Sequence, residues 1–158
     1  MSLKIRRVVT GHDANGKAVV TIDEIAKNVI SRRANHESLV IWSTGEFPTD
    51  NSGDADGGAR QVGTTDPNGT VFRLVEYGPG VTPRNHRTES VDYAIVLSGE
   101  IDMEMDGTMV HLKTGDVLVQ RGTIHNWINK GSVPCVVAFV LVAAKPVERA
   151  GKLLTAAN

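Results

Sequence analysis

A chain of 158 residues with 41% apolar content is long enough for one filled core and too short for two. Its 17 basic and 18 acidic residues nearly cancel, for a formal net charge of -1, which excludes the charge-driven binding of nucleic acid or of an anionic membrane and leaves small molecules and protein partners. The lone cysteine, Cys135, excludes an intramolecular disulfide; set among Val133, Pro134, Val136 and Val137 it reads as a buried, inert thiol, which fits a reducing cytoplasm.

Met1 to Arg7 lack the apolar stretch of a secretion signal, and no apolar run reaches the ~20 residues of a bilayer span. Ile5 to Thr10 and Ala18 to Asp23 are β-rich runs around His12-Asp13-Ala14-Asn15-Gly16, and Asn-Gly is hairpin-turn chemistry. A helical turn is expected over Ile22 to Ser31, then a strand over Ser38 to Ser43, where Leu39, Val40, Ile41 and Trp42 crowd together. Glu46 to Gly69 is rich in Asp, Gly, Asn, Ser, Pro and Thr and reads as a mobile surface loop. Short strands then follow at near-regular spacing: Val71 to Tyr77, Val91 to Leu97, Glu100 to Met105, Met109 to Leu112, Val117 to Gln120, His125 to Ile128 and Cys135 to Val142. Turn residues separate them, the pattern of an all-β sandwich or barrel. Glu100 to Met105 alternates acid and apolar, so one face is wet and the other packs inward. A short surface helix is expected over Lys145 to Leu154.

Two glycine-and-histidine signatures stand out: Gly80-x5-His86-x-Thr88-x3-Asp92-x6-Gly99 and Gly115-x6-Gly122-x2-His125-x3-Asn129. On these residues the chain resembles the cupin superfamily, small jelly-roll barrels whose motifs are usually written Gly-x5-His-x-His-x3,4-Glu-x6-Gly and Gly-x5-Pro-x-Gly-x2-His-x3-Asn. The resemblance covers roughly Val71 to Val142. Thr88 stands at the second histidine position, Asp92 at the glutamate and Gln120 at the proline, while His86, His125 and Asn129 match. The run His86-Arg87-Thr88-x-Ser90-x-Asp92-Tyr93 with Gln120-Arg121-Gly122-Thr123-x-His125 resembles one branch of the superfamily. The resemblance implies a cupin jelly-roll β-barrel with extra N-terminal strands: residues 1–70 as strands and loop packing on the barrel, 71–145 as the barrel core and 146–158 as a C-terminal tail, all one domain.

In an extended segment side chains alternate faces, so His86, Thr88 and Asp92 share a parity and can point into one barrel, with His125 returning from a neighbouring strand. Two imidazoles and one carboxylate with open positions form the facial arrangement of non-haem Fe(II) sites, and Mn, Zn, Ni or Co also suit it. His86, Asp92 and His125 are therefore the candidate ligands of a divalent metal ion, with Thr88 bonding a metal-bound water or leaving room for substrate. The same residues also suit another role, His86 and His125 as core histidines bonded to backbone and Asp92 as an acceptor near a turn. An arginine holds a carboxylate or enolate by two parallel hydrogen bonds. Arg84, Arg87 and Arg121 flank the candidates; alternation turns Arg87 away and favours Arg73 and Arg121. Trp127, two residues after His125, is the aromatic residue expected nearest the cavity, and His12, His36 and His111 are expected at surface or edge positions.

The first reading is a metal-dependent enzyme acting on a small oxygenated organic compound by oxygenation, decarboxylation, dehydration or isomerisation. The second is a barrel that binds a small molecule without metal or catalysis. The third is a metal-free enzyme in which His125 is the general base and Asp92 orients it. A homodimer is expected in each case, since sheet edges need cover and the segment Ile5 to Asp23 suits exchange between subunits.

Overall fold

The computed structural model describes residues 3–158, without the side chain of Arg32; Met1 and Ser2 of the N-terminal segment lie outside the described residues. Thirteen strands make up the regular structure. The first four are β1 (Arg6–His12), β2 (Ala18–Ile25), β3 (Val29–Arg33) and β4 (His36–Thr44). A long irregular stretch leads to β5 (Thr70–Tyr77), β6 (Ser90–Ser98), β7 (Glu100–Met105), β8 (Thr108–Lys113), β9 (Val117–Arg121), β10 (Asn126–Ile128) and β11 (Cys135–Ala143), and a small hairpin of β12 (Val147–Arg149) and β13 (Lys152–Leu154) follows. No helix of the described residues is long and apolar enough to cross a membrane.

Two sheets enclose the core. The larger runs β3-β4-β5-β11-β6-β9 and the smaller β10-β7-β8. Val71, Val75 and Tyr77 of β5, Ala94 and Val96 of β6, and Val137, Phe139 and Leu141 of β11 face Ile101 and Met103 of β7, Leu112 of β8 and Trp127 of β10. Alternation explains the set, because every second residue of each strand points between the sheets. Tight connections keep the strands in register. Gly99 joins β6 to β7 at φ +74, where a Cβ would stand 2.6 Å from the Pro134 carbonyl oxygen, so only glycine fits.

The N-terminal region does more than pack on the barrel, since β3 and β4 belong to the large sheet. Strand β4 is buried along most of its length because both its faces are covered. Ala26, Leu39, Ile41 and Leu74 form a second apolar cluster, joined by Leu3, Ile5, Val136 and Ala138. The β1-β2 hairpin is tied down by the buried Arg7, which donates to Asp56, Glu24 and the Ile41 carbonyl.

Three expectations are corrected. The stretch expected to be helical at residues 22–31 is the end of β2 and most of β3, where Val29 and Ile30 join an edge strand that a bulge fits onto β4. The expected helix over 145–154 is the β12-β13 hairpin, which turns through Ala150 at φ 50 and Gly151 at φ 70. The stretch 46–69 lacks strands but its second half is fastened to the sheet: Asn28 Nδ2 donates to the Gly58 and Arg60 carbonyls, and Arg60 pairs with the buried Asp66.

Candidate functional site

Between the sheets lies a cavity of about 60 Å³ that opens to solvent at its mouth. Its lining includes His86, Thr88, Asp92 and Gln120 from the β6-β9 side, Arg73 from β5, His125 and Trp127 near β10, and Arg33 and His36 from β3 and β4. Thr64 brings the long irregular stretch to the same cavity.

His86 and His125 meet across an isolated antiparallel bridge, each backbone N–H donating to the other's carbonyl at 2.9 Å. That pairing puts both rings on one side, with centroids 4.2 Å apart. His86 Nδ1 lies 3.1 Å from the Arg84 carbonyl oxygen and His125 Nδ1 lies 2.9 Å from that of Thr123. A carbonyl only accepts, so each Nδ1 carries the proton and each Nε2 keeps its lone pair. Burial first, and then the neighbouring His125, pushes His86 down to about 4; burial likewise lowers His125. Both rings are therefore neutral at pH 7.

Thr88, Ser90 and Asp92 form a chain of oxygens one strand away. Ser90 Oγ stands 2.8 Å from Thr88 Oγ1 and 2.5 Å from Asp92 Oδ1. All three are buried, and burial raises the Asp92 carboxyl to about 6 in spite of Ser90 and Arg73. Gln120, opposite Asp92 in the β6-β9 register, donates Nε2 to Met103 Sδ and leaves a buried Oε1 without a partner.

Of the residues singled out from sequence, His86, Thr88, Asp92, His125, Arg73 and Trp127 all line the cavity. Trp127 packs edge-on to His125 and Phe139 and tilted over Tyr77. Arg121 is corrected: it is exposed on β9 and points away from the cavity, because alternation that turns Gln120 inward turns its neighbour outward. His36 is corrected as well. It is buried against Tyr77 and lines the cavity, while His12 and His111 are exposed as expected. Arg84, which flanks the candidate ligands, lines the cavity, and so does Arg33, which was not singled out because it lies far from the motifs in sequence. Asn129 is a structural pin, its amide donating to the Tyr77 and Val133 carbonyls.

The expected three-ligand set is not assembled. Among the described residues no group of three or more His, Cys, Asp or Glu side chains is placed to hold a metal ion. His86 and His125 stand together with free Nε2 atoms, and Asp92 is engaged by Ser90. Nor does Asp92 orient His125, whose Nδ1 is taken by Thr123. The pair therefore fits two positions of an ion whose other positions are filled by water or substrate, and does not fit an ion retained by three protein side chains.

A family model described as "Cupin domain" matches residues 73–142. A relative in Diaporthe leptostromiformis, "Phomopsin biosynthesis cluster protein C'", is 38% identical over 94% of this chain and 83% of its own length. A second relative, the "Cupin-domain-containing oxidoreductase fogC" of Aspergillus ruber, is 33% identical over 94% of the chain and 77% of its own length. The chain is a cupin. The cupin domain of Schizosaccharomyces pombe Cnp3 shares the fold, with a TM-score of 0.54, 13% identity and 89% of each chain covered.

Proposed function

We propose that this cupin is an enzyme that transforms a small oxygenated organic compound by moving protons at the His86–His125 pair. The carrying observation is that pair: two neutral imidazoles, each fixed by its Nδ1–H and each with an unprotonated Nε2, on the wall of a cavity open to solvent. An imidazole held neutral below its ordinary range accepts a proton at pH 7 without first losing one, and two of them 4.2 Å apart can take a proton from one substrate atom and return it at another. Asp92, on the same cavity wall, has a carboxyl that burial raises to about 6 and that accepts from the Ser90 hydroxyl. This chemistry covers isomerisation, dehydration and decarboxylation. Names among the relatives, of biosynthesis cluster proteins and cupin-domain oxidoreductases, support an enzyme.

A divalent ion is the second reading, and one observation favours it: metal-binding histidines commonly donate the second ring N–H to a carbonyl, as both rings do here. Bound by His86 and His125, such an ion, Fe, Mn, Zn or Ni, would supply Lewis-acid polarisation of a substrate oxygen. Incubation in D2O with a panel of small oxo, hydroxy and phenolic acids, with and without added metal, tests both readings by mass spectrometry. Deuterium uptake or loss of water or CO2 that vanishes in His86→Ala and His125→Ala supports the enzyme. Dependence on added metal selects the second reading. No turnover of any panel member under either condition, or turnover indifferent to both substitutions, counts against an enzyme at this pair.

A cytoplasmic setting and a homodimer belong to the same proposal. Cys135 is a free thiol that burial pushes up to about 11, inert under reducing conditions. On the outer face of the large sheet Phe72, Val140, Tyr93 and Val119 lie side by side across β5, β11, β6 and β9. Tyr93 and Val119 are each at least half exposed, an apolar row that a second copy of the chain would cover.

A further inference from the structure

The cavity sets three cations against a single carboxylate, Asp92, which acts on Arg73 without bonding to it. Arg33, Arg73 and Arg84 all line it, and among the described residues none of them forms an ion pair with a carboxylate. Arg73 is 5% exposed; its terminal nitrogens donate to Ser38 Oγ at 3.3 Å and the Gly63 carbonyl at 2.6 Å, and its Nε is buried without a partner. Arg33 also has a buried Nε without a partner. Arg84 reaches only neutral groups, Thr64 Oγ1 and Asn158 Oδ1. Each of the three charges acts on both the His36 ring and the Tyr77 phenol, which stand 5.4 Å apart by ring centroids, and Arg33 and Arg84 act on His86 as well. Asp92 is the one carboxylate in the lining.

Buried guanidinium groups are ordinarily paired, because removing a charge from water is costly unless an opposite charge replaces the solvent. Burial pulls Arg73 down to about 10, the mark of a charge whose surroundings do not compensate it. A guanidinium that lines a cavity offers planar pairs of N–H donors that match the oxygens of a carboxylate. The lining also has an apolar and aromatic side, Val75, Trp127, Phe139 and Leu141, beside the polar Ser31, Ser38, Thr64, Thr88 and Gln120. Trp127 also touches His125, with ring centroids 6.0 Å apart, so an apolar body seated on the indole lies beside the imidazole pair.

We propose that this cupin binds an aromatic or unsaturated carboxylic acid as its anion, the carboxylate held by Arg33, Arg73 and Arg84 and the unsaturated body laid along Trp127 toward His86 and His125. The inference rests on the enzyme reading only for the role of the imidazoles; the anion site stands on the arginines. His36, kept neutral by burial and by the same three cations, adds no charge of its own and can donate or accept at the carboxylate's edge.

The test is calorimetric titration with benzoate and with its neutral isostere benzamide, on the wild type and on Arg84→Gln, Arg73→Gln, Arg121→Gln and His86→Ala. Arg84 is half-buried, so its substitution remains informative if the buried Arg73→Gln variant fails to fold. Expected is benzoate binding at least tenfold tighter than benzamide, loss of tenfold or more in Arg84→Gln and Arg73→Gln, and affinity within threefold of wild type in the exposed Arg121→Gln. Benzoate and benzamide binding alike, benzoate failing to bind the wild type, or Arg84→Gln binding as the wild type overturns the proposal. His86→Ala separates the two readings: retained benzoate binding with lost turnover supports both, whereas absent turnover in a wild type that binds benzoate removes the enzyme and leaves the anion site.

Discussion

Replacing Asp92 by asparagine should make the protein more stable, and by an amount that depends on pH. Asp92 is 3% exposed and burial raises its carboxyl from 3.8 to about 6. At about 1.36 kcal/mol per pKa unit, that difference places about 3 kcal/mol on the charged form of the folded protein. The sign follows from proton counts. Between 3.8 and 6 the folded chain holds a proton that the unfolded chain has released, so Asp92 lowers stability as pH rises through that window, and the loss is complete above it. Asparagine keeps the oxygen that accepts from Ser90 and never ionises. Urea unfolding of wild type and Asp92→Asn at pH 4, 5, 6, 7 and 8 isolates this one group, because His36 and His86 titrate in both proteins and cancel in the difference. The variant should gain about 3 kcal/mol relative to wild type between pH 4 and pH 8. Any packing change from the amide adds a constant and leaves the slope alone. A difference that is flat across the range, or that falls with rising pH, would refute the reasoning.

Gly99→Ala should destabilise by roughly 2 kcal/mol or more, because the residue must hold φ +74 while its Cβ meets the Pro134 carbonyl; urea unfolding at pH 7 measures it. Trp127→Ala opens a cavity among Tyr77, His125 and Phe139 and should cost about 3–5 kcal/mol by the same method. Tyr93→Arg with Val119→Arg should convert a dimer to a monomer in sedimentation without loss of fold; a wild type that sediments as a monomer contradicts the proposed pairing. As pH falls from 6.5 to 4 the wild type should lose stability, since His36 and His86, both pushed down to about 4, are protonated more readily in the unfolded chain, and their combined loss exceeds the opposite contribution of Asp92. Stability of the wild type that is level from pH 6.5 to 4 would contradict the burial of those rings.

The strand series from Val71 to Val142 was legible because each strand alternates and each break carries Gly, Asp or Ser, local signals that tertiary contacts only reinforce. The motif residues His86, Thr88, Asp92 and His125 were legible by parity for the same reason. What escaped was non-local. His36, Arg33 and Thr64 reach the cavity from a region without a motif, the first two through the β3-β4-β5 pairing and Thr64 from the irregular stretch between β4 and β5. The weakly helical stretch 22–31 yields to the sheet edge it completes. Arg121 was misread because the motif draws attention to a position that the strand's alternation turns to solvent.

The central claim is that His86 and His125 present unprotonated Nε2 atoms to the cavity at neutral pH. Nitrogen-15 NMR of labelled histidine side chains, titrated from pH 8 to 4 and assigned with His86→Ala and His125→Ala, tests it directly. The account predicts that both rings are neutral Nδ1–H tautomers at pH 7, with His86 remaining neutral until about pH 4. An Nε2–H tautomer on either ring, or protonation of His86 near its ordinary value of 6.5, would contradict it.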